Sequence, residues 1–219
     1  MTAENSWTVD RSVLDADRKR AEEIMAPLGI SSQSMDRLSH LVACLLEAQQ
    51  KTNLVARSTL ETVWTRHIAD SAQILPLAPP HTSRWLDVGS GGGFPGLVIG
   101  ILRPDFDLHL VDSSGKKCRF LESVKERLNL SLTVHCVRIE AVVPSFVGRV
   151  DVVSARALAP LPKLLELLDP LLKTKTCGLF LKGESVDEEI AHIPPAQRKT
   201  MTVIPSITSL KARILKFQR

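Results

Sequence analysis

The chain has 219 residues, of which 44% are apolar and 24% are charged, and its formal net charge at pH 7 is +4. These proportions are typical of a globular protein outside the membrane, and no apolar run approaches the roughly 18–20 residues that a membrane-spanning helix needs. Residues 1–15 lack the basic and apolar segments of a secretory leader, so we expect a cytoplasmic protein.

The first 80 residues are predicted to form a helical extension. Apolar residues recur near a period of 3.6 within 13–28 and again within 35–46, as on amphipathic helices. A third helix is expected over residues 58–75, begun by a capping box. Its candidate capping residues are Ser58 or Thr59 with Glu61 or Thr62. "PLAPPHTS", residues 76–83, breaks the pattern and is expected to be a linker.

From Arg84 onward, strands alternate with helices. The predicted strands are "RWLDVG", "FDLHLVD", "SLTVHCV", "VDVVSARA" and "TCGLFLKG", and the helices between them include "GLVIGILRP", "GKKCRFLESVKERLNL" and "LPKLLELLDPLLKT". The last segments, "KTMTVIPSI" and "KARILKF", alternate like an antiparallel pair. This rhythm predicts an α/β domain over residues 81–219, packed with the extension as one unit. Its sheet is expected to be doubly wound and mostly parallel with an antiparallel C-terminal edge, and ligands bind at the carboxyl ends of such strands.

The stretch "WLDVGSGGGFPG", residues 85–96, is a glycine loop directly after the first strand. It does not fit a dinucleotide fingerprint, because Phe94 stands where the third glycine is needed, and it lacks the lysine of a phosphate-binding loop. Glycines at 89 and 91 let the backbone approach a ligand closely, since a Cβ would clash. Asp87 could hold an ammonium group, directly or through water. The loop therefore suits S-adenosylmethionine, with contacts from Asp87, Gly89 and Gly91.

Acidic residues follow the next two strands. Asp112 ends the second strand, where a carboxylate accepts hydrogen bonds from ribose hydroxyls, with Ser113 beside it. Ile139 and Glu140 follow the third strand and are expected beside the adenine ring. The combination favours S-adenosylmethionine; a nicotinamide cofactor and purely structural turns are the alternatives.

Several motifs resemble one known family. "TNLVA", "RHIADS", "DVGSGGGFPG", "LVDSSGKKCRFL", "SARALAPL" and "LKG", spread over residues 51–183, together resemble the glucose-inhibited division protein B family. Its members are small-subunit ribosomal RNA guanine-N7 methyltransferases. The resemblance implies a Rossmann-like class I fold that methylates N7 of a guanine in the 530 loop of 16S rRNA. It places cofactor contacts at Gly89, Phe94, Ile139, Glu140 and Arg156, although alanine is common in the family where this chain has Ile139.

The residues present suit that chemistry. Guanine N7 has a lone pair and no proton, so it needs no general base and catalysis rests on aligning the reacting atoms. Arg156 ends the fourth strand, where it could orient the cofactor or guanine O6, paired with a carboxylate or with the cofactor's carboxyl group. An exposed strand-end arginine is the alternative. Asn53 and His67 are assigned to guanine placement, although His67 could instead be a packing residue. Phe94 and Trp64 could stack on a base, with core packing favoured for Trp64.

Basic residues suggest a polyanionic partner. Arg138 and Lys182, each at a strand end, are candidate phosphate contacts, or simply solvated cations. Basic clusters occur at Lys116, Lys117 and Arg119 and again at Arg198, Lys199, Lys211, Arg213, Lys216 and Arg219. Such clusters attract nucleic acids. We expect a monomer whose partner is 16S rRNA or an assembling small ribosomal subunit.

Cysteine and histidine spacing gives no sign of a metal site. The sequence has no CxxC and no HxxxH pair, the short spacings typical of metal ligands. We therefore expect no metal and no disulfide framework. Two other functions stay open at this point: a methyltransferase of another RNA or of a small molecule, and a non-catalytic rRNA-binding factor.

Overall fold

A seven-stranded mixed sheet organises the computed structural model, which describes residues 9–218. The strands are β1 Arg84–Val88, β2 Asp107–Val111, β3 Leu132–His135, β4 Val152–Arg156, β5 Cys177–Lys182, β6 Met201–Pro205 and β7 Arg213–Phe217. Their order in the sheet is β3-β2-β1-β4-β5-β7-β6, and β7 runs antiparallel to both of its neighbours. The predicted doubly wound sheet with an antiparallel C-terminal edge is therefore confirmed.

Each central strand is buried on both faces. Successive strand residues point to opposite sides of a sheet, and Trp85 and Leu86 accordingly lie in different apolar clusters, as do Val152 and Val153. Helices cover both faces, and those that follow the first strand are α4 Gly96–Leu102, α5 Gly115–Arg127, α6 Ile139–Phe146, α7 Leu161–Leu172, α8 Val186–Ala191 and α9 Pro195–Arg198. Helices α4 and α5 contribute to one cluster, and α6, α7 and α8 to the other.

Two long helices open the N-terminal extension, as predicted. Helix α1, Arg11–Met25, begins where the Asp10 carboxylate accepts the Ser12 N–H at 2.8 Å, which satisfies a backbone donor that a helix start leaves free. Helix α2 spans Ser32–Gln49. Buried leucines of α2 belong to the same apolar cluster as α4, so the extension and the sheet share a core.

The third predicted helix is partly wrong. Residues 58–75 do not form one capped helix: a 3₁₀ turn at Arg57–Thr59 is followed by a π-helical segment, Trp64–Ala69, and a single α-turn, α3 Asp70–Ala72. No capping-box hydrogen bond forms among the predicted residues, and the Thr59 hydroxyl donates to the Ala56 carbonyl at 2.7 Å.

The start of the π-helical segment is fixed by a distant carboxylate instead. Asp17 of α1, which is buried, accepts the backbone N–H groups of Trp64 at 2.8 Å and Thr65 at 3.2 Å. A helix start leaves such donors without partners inside the helix. A residue 47 positions away thus caps this segment, which begins after the capping box predicted within 58–62.

The predicted linker at 76–83 is an ordered connection. It contains a 3₁₀ turn, Leu75–Leu77, and a buried Thr82 whose hydroxyl donates to the Pro79 carbonyl at 2.6 Å. The division into an extension and a methyltransferase domain stays a prediction. Among residues 9–218, no helix combines the length and apolar character that crossing a bilayer requires.

Candidate active site

The glycine loop follows β1 and is braced against β2. Gly89 and Gly91 have φ angles of +68° and +58°, a left-handed conformation that favours glycine. The Gly89 N–H donates to the Val111 carbonyl at 2.8 Å, and the Gly91 N–H to the Asp112 carboxylate at 2.9 Å. A Cβ on Gly89 would lie 2.5 Å from a methyl carbon of Leu158, so a side chain there would strain the backbone and also displace Leu158.

Asp87 lies beneath this loop. Its carboxylate accepts the Ser154 hydroxyl at 2.7 Å and the Gly96 N–H at 3.2 Å, while the Trp85 indole donates to Ser154 at 2.8 Å. The side chain is fully buried, and that burial raises the pKa of Asp87 to about 6. Asp87 does not line the adjoining cavity, and its contact with an ammonium group stays a prediction.

A cavity of about 720 Å³ opens at the carboxyl ends of β1, β4 and β5. Its walls come from the glycine loop, the π-helical segment, the residues after β4, and the C-terminal hairpin. Its charged lining residues are Arg66, Asp70, Lys117, Arg156, Lys182, Glu189 and Arg213. The predicted site residues Gly89, Gly91, Phe94, His67, Arg156 and Lys182 all line this cavity.

Arg156, at the end of β4, is the centre of the cavity's hydrogen-bond network. Its Nη1 donates to the Arg66 carbonyl at 2.8 Å and pairs with the Asp70 carboxylate at 3.3 Å, and its Nη2 contacts His67 Nδ1. The guanidinium also lies 5.3 Å from the centre of the Phe94 ring. The expected pairing with a carboxylate is confirmed, and the alternative of an exposed strand-end arginine is wrong.

His67 is a neutral, fully bonded imidazole. Burial, reinforced by the Arg156 charge, lowers the pKa of His67 to about 2. Arginine has only donors, so Nδ1 must accept from Arg156 and the ring proton must lie on Nε2. Nε2 lies 2.8 Å from the Thr59 hydroxyl, and the ring stacks on Phe94 at 4.9 Å. Both ring nitrogens are engaged, so the ring contacts both Arg156 and Phe94 in a fixed orientation. Its part in guanine placement stays a prediction.

Asp70 ties this network to the C-terminal hairpin. The oxygen that does not face Arg156 accepts the Thr208 hydroxyl at 2.7 Å and the Gln73 amide at 2.8 Å. Gln73 in turn accepts the Ile207 N–H at 2.9 Å and donates to the Ser206 hydroxyl at 3.1 Å. Sequence reasoning missed Gln73, Ser206 and Thr208, because no local pattern links residues more than 130 positions apart.

Lys182 is buried and already paired. Its ammonium donates to the Glu189 carboxylate at 2.6 Å and to the Ala159 carbonyl at 2.7 Å. A phosphate contact would have to compete with Glu189 and stays a prediction.

Five predicted site residues lie at the ends of β2 and β3, outside the cavity lining: Asp112, Ser113, Arg138, Ile139 and Glu140. Asp112 is buried, and its two oxygens accept the N–H groups of Gly91 and Ser114. Ser113, Arg138 and Glu140 are exposed, and Ile139 is half-buried. Their roles toward ribose, adenine and phosphate stay predictions.

Asn53 also lies outside the cavity lining. It is exposed and accepts the Gln49 amide at 3.1 Å, just before the cavity-lining residues 54–56. Buried Gln49, which sequence reasoning missed, holds this turn by accepting the N–H groups of Leu54 and Val55. Trp64 is buried in the core, which favours packing over base stacking.

The predicted basic clusters divide between the cavity and the surface. Lys117 and Arg213 line the cavity, Lys116 and Arg119 are exposed on α5, and Lys211 lies 3.2 Å from Glu184. Arg219 lies outside the described residues. Within 9–218, no group of three or more histidine, cysteine or acidic side chains is arranged to hold a metal ion.

Comparison with known proteins places this site in a family. The family described as rRNA small subunit methyltransferase G, GidB, matches residues 34–216, which include the extension from α2 onward, the glycine loop and the C-terminal hairpin. The chain belongs to this family.

Relatives in the rRNA small subunit methyltransferase G family match over most of their length. The Methylobacterium nodulans protein of that name is 44% identical over 92% of this chain and 94% of its own. That of Parvibaculum lavamentivorans is 46% identical over 78% of this chain and 76% of its own. Among solved structures, the branched-chain polyamine synthase from Thermus thermophilus has a TM-score of 0.57 at 11% identity, covering 81% of this chain and 63% of that one. The last comparison supports the Rossmann-like fold alone.

Proposed function

We propose that this methyltransferase transfers a methyl group from S-adenosylmethionine to N7 of a guanine in the 530 loop of 16S rRNA. The proposal joins the family assignment to the chemistry of the cavity. An RNA substrate is supported by the names of the relatives, and the choice of N7 by the state of the cavity's titratable groups.

The glycine loop fits S-adenosylmethionine. When bound, S-adenosylmethionine supplies a methyl group on a sulfonium, ready for transfer to a nucleophile. Gly91 has left-handed φ, and a Cβ there would meet only the Gly89 carbonyl at 3.7 Å and the Lys117 ammonium at 3.9 Å, which leaves room for a ligand against the backbone. Gly89 and Gly91 would hold the amino-acid end and Asp112 the ribose.

The absence of a free base in the cavity is the observation that carries the choice of N7. Among the described lining residues, the possible proton acceptors are His67, Asp70 and Glu189, and each is engaged, by Arg156 or by Lys182. An exocyclic amine must lose a proton during methylation, whereas guanine N7 has none to lose. The site therefore suits a nucleophile that needs only alignment, with Arg156 and Phe94 held in place by His67.

The charge of the cavity suits an RNA strand. Its two carboxylates, Asp70 and Glu189, are each paired with a cation, which leaves Arg66, Lys117 and Arg213 without an acidic partner within 4 Å in the described chain. Phosphates could occupy these positions, and binding should then weaken steeply with salt.

Borohydride–aniline cleavage of 16S rRNA tests the proposal directly, because it cuts at N7-methylguanine. We expect cleavage in the 530 loop to disappear in a strain lacking this gene and to return with the wild-type chain but not with Arg156→Ala. Cleavage that persists in the deletion strain would refute the assignment. Transfer to small molecules without RNA would favour the small-molecule alternative, and calorimetry without S-adenosylmethionine binding would favour a non-catalytic rRNA-binding factor.

A further inference from the structure

The loop between β6 and β7, residues 206–212, carries the most exposed large apolar side chain of the described chain. Leu210 is 94% exposed, and Ile207 in the same loop is 55% exposed. A single exposed leucine is ordinary on a protein surface, so exposure alone assigns no role. This loop is distinguished by the hydrogen bonds that hold it and by its position at the edge of the cavity.

Buried polar groups fix the base of the loop. Thr208 donates to Asp70, and the Ile207 N–H donates to Gln73. Asp70 also pairs with Arg156 at 3.3 Å, so the loop is connected to the centre of the cavity through one carboxylate. Its two ends, Ser206 and Ala212, line the cavity.

The tip of the loop is a closed turn. The Ala212 N–H donates to the Ser209 carbonyl at 3.2 Å, and the Arg213 guanidinium donates to the Leu210 carbonyl at 2.6 Å. Leu210 is therefore presented at the edge of the cavity on a turn that is fixed on both sides. Arg213, which has no acidic partner within 4 Å in the described chain, supplies a charge that an RNA backbone attracts. Lys211, on the other side of Ala212, would have to exchange Glu184 for a phosphate.

We propose that Leu210, with Ile207 beside it, is an apolar wedge. The wedge enters the RNA base stack next to the target guanine and fills the space that the guanine leaves. This inference rests on the proposed function. A base that enters the cavity must first leave its stack, which has a free-energy cost, and proteins that unstack nucleic acid insert leucine, isoleucine or phenylalanine between bases. Unstacked neighbours offer the apolar surface that this exposed leucine lacks in the free protein.

Two RNA substrates separate a wedge from a general binding contact. The first is a folded 16S rRNA transcript, and the second is a short unpaired oligoribonucleotide with the same target guanine. We expect Leu210→Ala to slow single-turnover methylation of the folded transcript by about tenfold or more, the size expected from failing to bury one leucine side chain. The rate on the unpaired oligonucleotide should stay within twofold of wild type (about the error of such assays), since no stack has to be opened.

Two control variants bracket the effect. Leu210→Met keeps a long apolar side chain and should retain most of the methylation rate. Val147→Ala shortens an aliphatic side chain that is 40% exposed at the end of α6, and it should leave the rate on both RNAs unchanged. In the folded transcript, 2-aminopurine next to the target should brighten when wild type binds, and less so with Leu210→Ala. Binding of S-adenosylhomocysteine should be unchanged in all three variants.

Each remaining outcome has a definite meaning. Equal losses on both RNAs, or no loss on either, would overturn the wedge and leave the proposed function standing. A loss seen only with protein-containing small subunits, and not with the folded transcript, would assign the loop to a ribosomal protein and also overturn it. If the wild-type chain methylates small-subunit particles but neither free RNA, the proposed function stands and the wedge, which needs only RNA, is overturned. If it methylates none of these substrates, both fail.

Discussion

Two sides of the same sheet edge are built differently. On the cavity side, at the ends of β1, β4 and β5, Arg156, His67 and Asp70 form one buried network that joins the β-sheet to the extension and to the C-terminal hairpin. On the β2–β3 side, at the ends of those strands, Asp112 is bonded only to nearby backbone groups, and its predicted companions Ser113, Arg138 and Glu140 are exposed.

The difference reflects how each side would handle its ligand. Arg156 is charged and half-buried, so it needs a carboxylate and fixed acceptors to stay where it is. Residues that contact a ribose or an adenine from an open edge need only a strand end to place them. The cavity side is therefore preorganised by side-chain contacts between distant segments, whereas the β2–β3 side relies on strand ends and on the bonds from Asp112 to the Gly91 and Ser114 backbone. Four predictions test that contrast.

Removing the carboxylate of the cavity side should have the largest effect. Asp70→Ala leaves the Arg156 charge unpaired and takes an acceptor from Gln73 and Thr208, and breaking a buried pair typically costs about 3–5 kcal/mol. We expect urea unfolding to show a loss of that order. Asp105→Ala breaks an exposed pair with Arg103 and should cost less than about 1 kcal/mol. Losses of equal size would remove the contrast between a buried network and a surface pair.

The pH dependence of stability should reveal two opposing groups near the cavity. The pKa of Asp87 is about 6 in the fold against an ordinary value of 3.8. Its stabilising contribution to the free energy of unfolding is therefore fully present below pH 3.8 and is lost as pH rises to about 6. The pKa of His67 is about 2 against 6.5, so the fold gains stability as pH rises toward 6.5. Each group contributes a slope of about 1.4 kcal/mol per pH unit, and between pH 4 and 6 the two slopes oppose each other.

Single variants should separate the two slopes. Relative to wild type, Asp87→Asn should make the free energy of unfolding rise more steeply with pH between 4 and 6, and His67→Gln should make it rise less or fall. Denaturant titrations at several pH values measure both. Parallel curves for wild type and both variants would mean that neither group is held away from its ordinary pKa.

The same contrast explains what the sequence could predict. Strands, helices and the antiparallel edge follow from local periodicity, and the glycine loop and Asp112 follow from short motifs placed at strand ends. The cavity network could be predicted only in part. A carboxylate partner was expected for Arg156, but no local pattern identifies Asp70, 86 residues away, or Thr208, another 138 residues from Asp70. The cap that Asp17 provides for the π-helical segment was missed for the same reason. Contacts made by distant segments leave no periodic trace in the chain.

On the β2–β3 side, the quantity expected to fall is the affinity for S-adenosylmethionine. Asp112→Ala should weaken S-adenosylmethionine binding by about 1–3 kcal/mol, because hydrogen bonds to a charged group are lost. Calorimetry measures it. Asp107→Ala, at the opposite end of β2 and paired with Arg84, should leave affinity unchanged. Full affinity in Asp112→Ala would contradict the ribose role and leave Asp112 only its bonds to Gly91 and Ser114.

The smallest expected effect comes from two glycine substitutions. They separate the cost of a left-handed backbone from the cost of a contact beside the cavity. Gly89 and Gly148 have nearly equal φ angles, +68° and +69°, but a Cβ on Gly89 would meet Leu158 at 2.5 Å whereas a Cβ on Gly148 would have no neighbour within 4 Å. Alanine in the left-handed region costs about 1–2 kcal/mol, so both Gly→Ala variants should lose a similar amount of stability in thermal or urea unfolding.

Cofactor binding should distinguish the two glycines. The Leu158 side chain can rotate away from a new methyl group, but it would do so beside the cavity that it lines. Gly89→Ala should therefore weaken S-adenosylmethionine binding, Gly148→Ala should not, and the double variant Gly89→Ala/Leu158→Ala should recover much of the loss. Equal affinity in both single variants would show that the cofactor does not use the space beside Gly89. The cofactor would then have to bind elsewhere along the sheet edge.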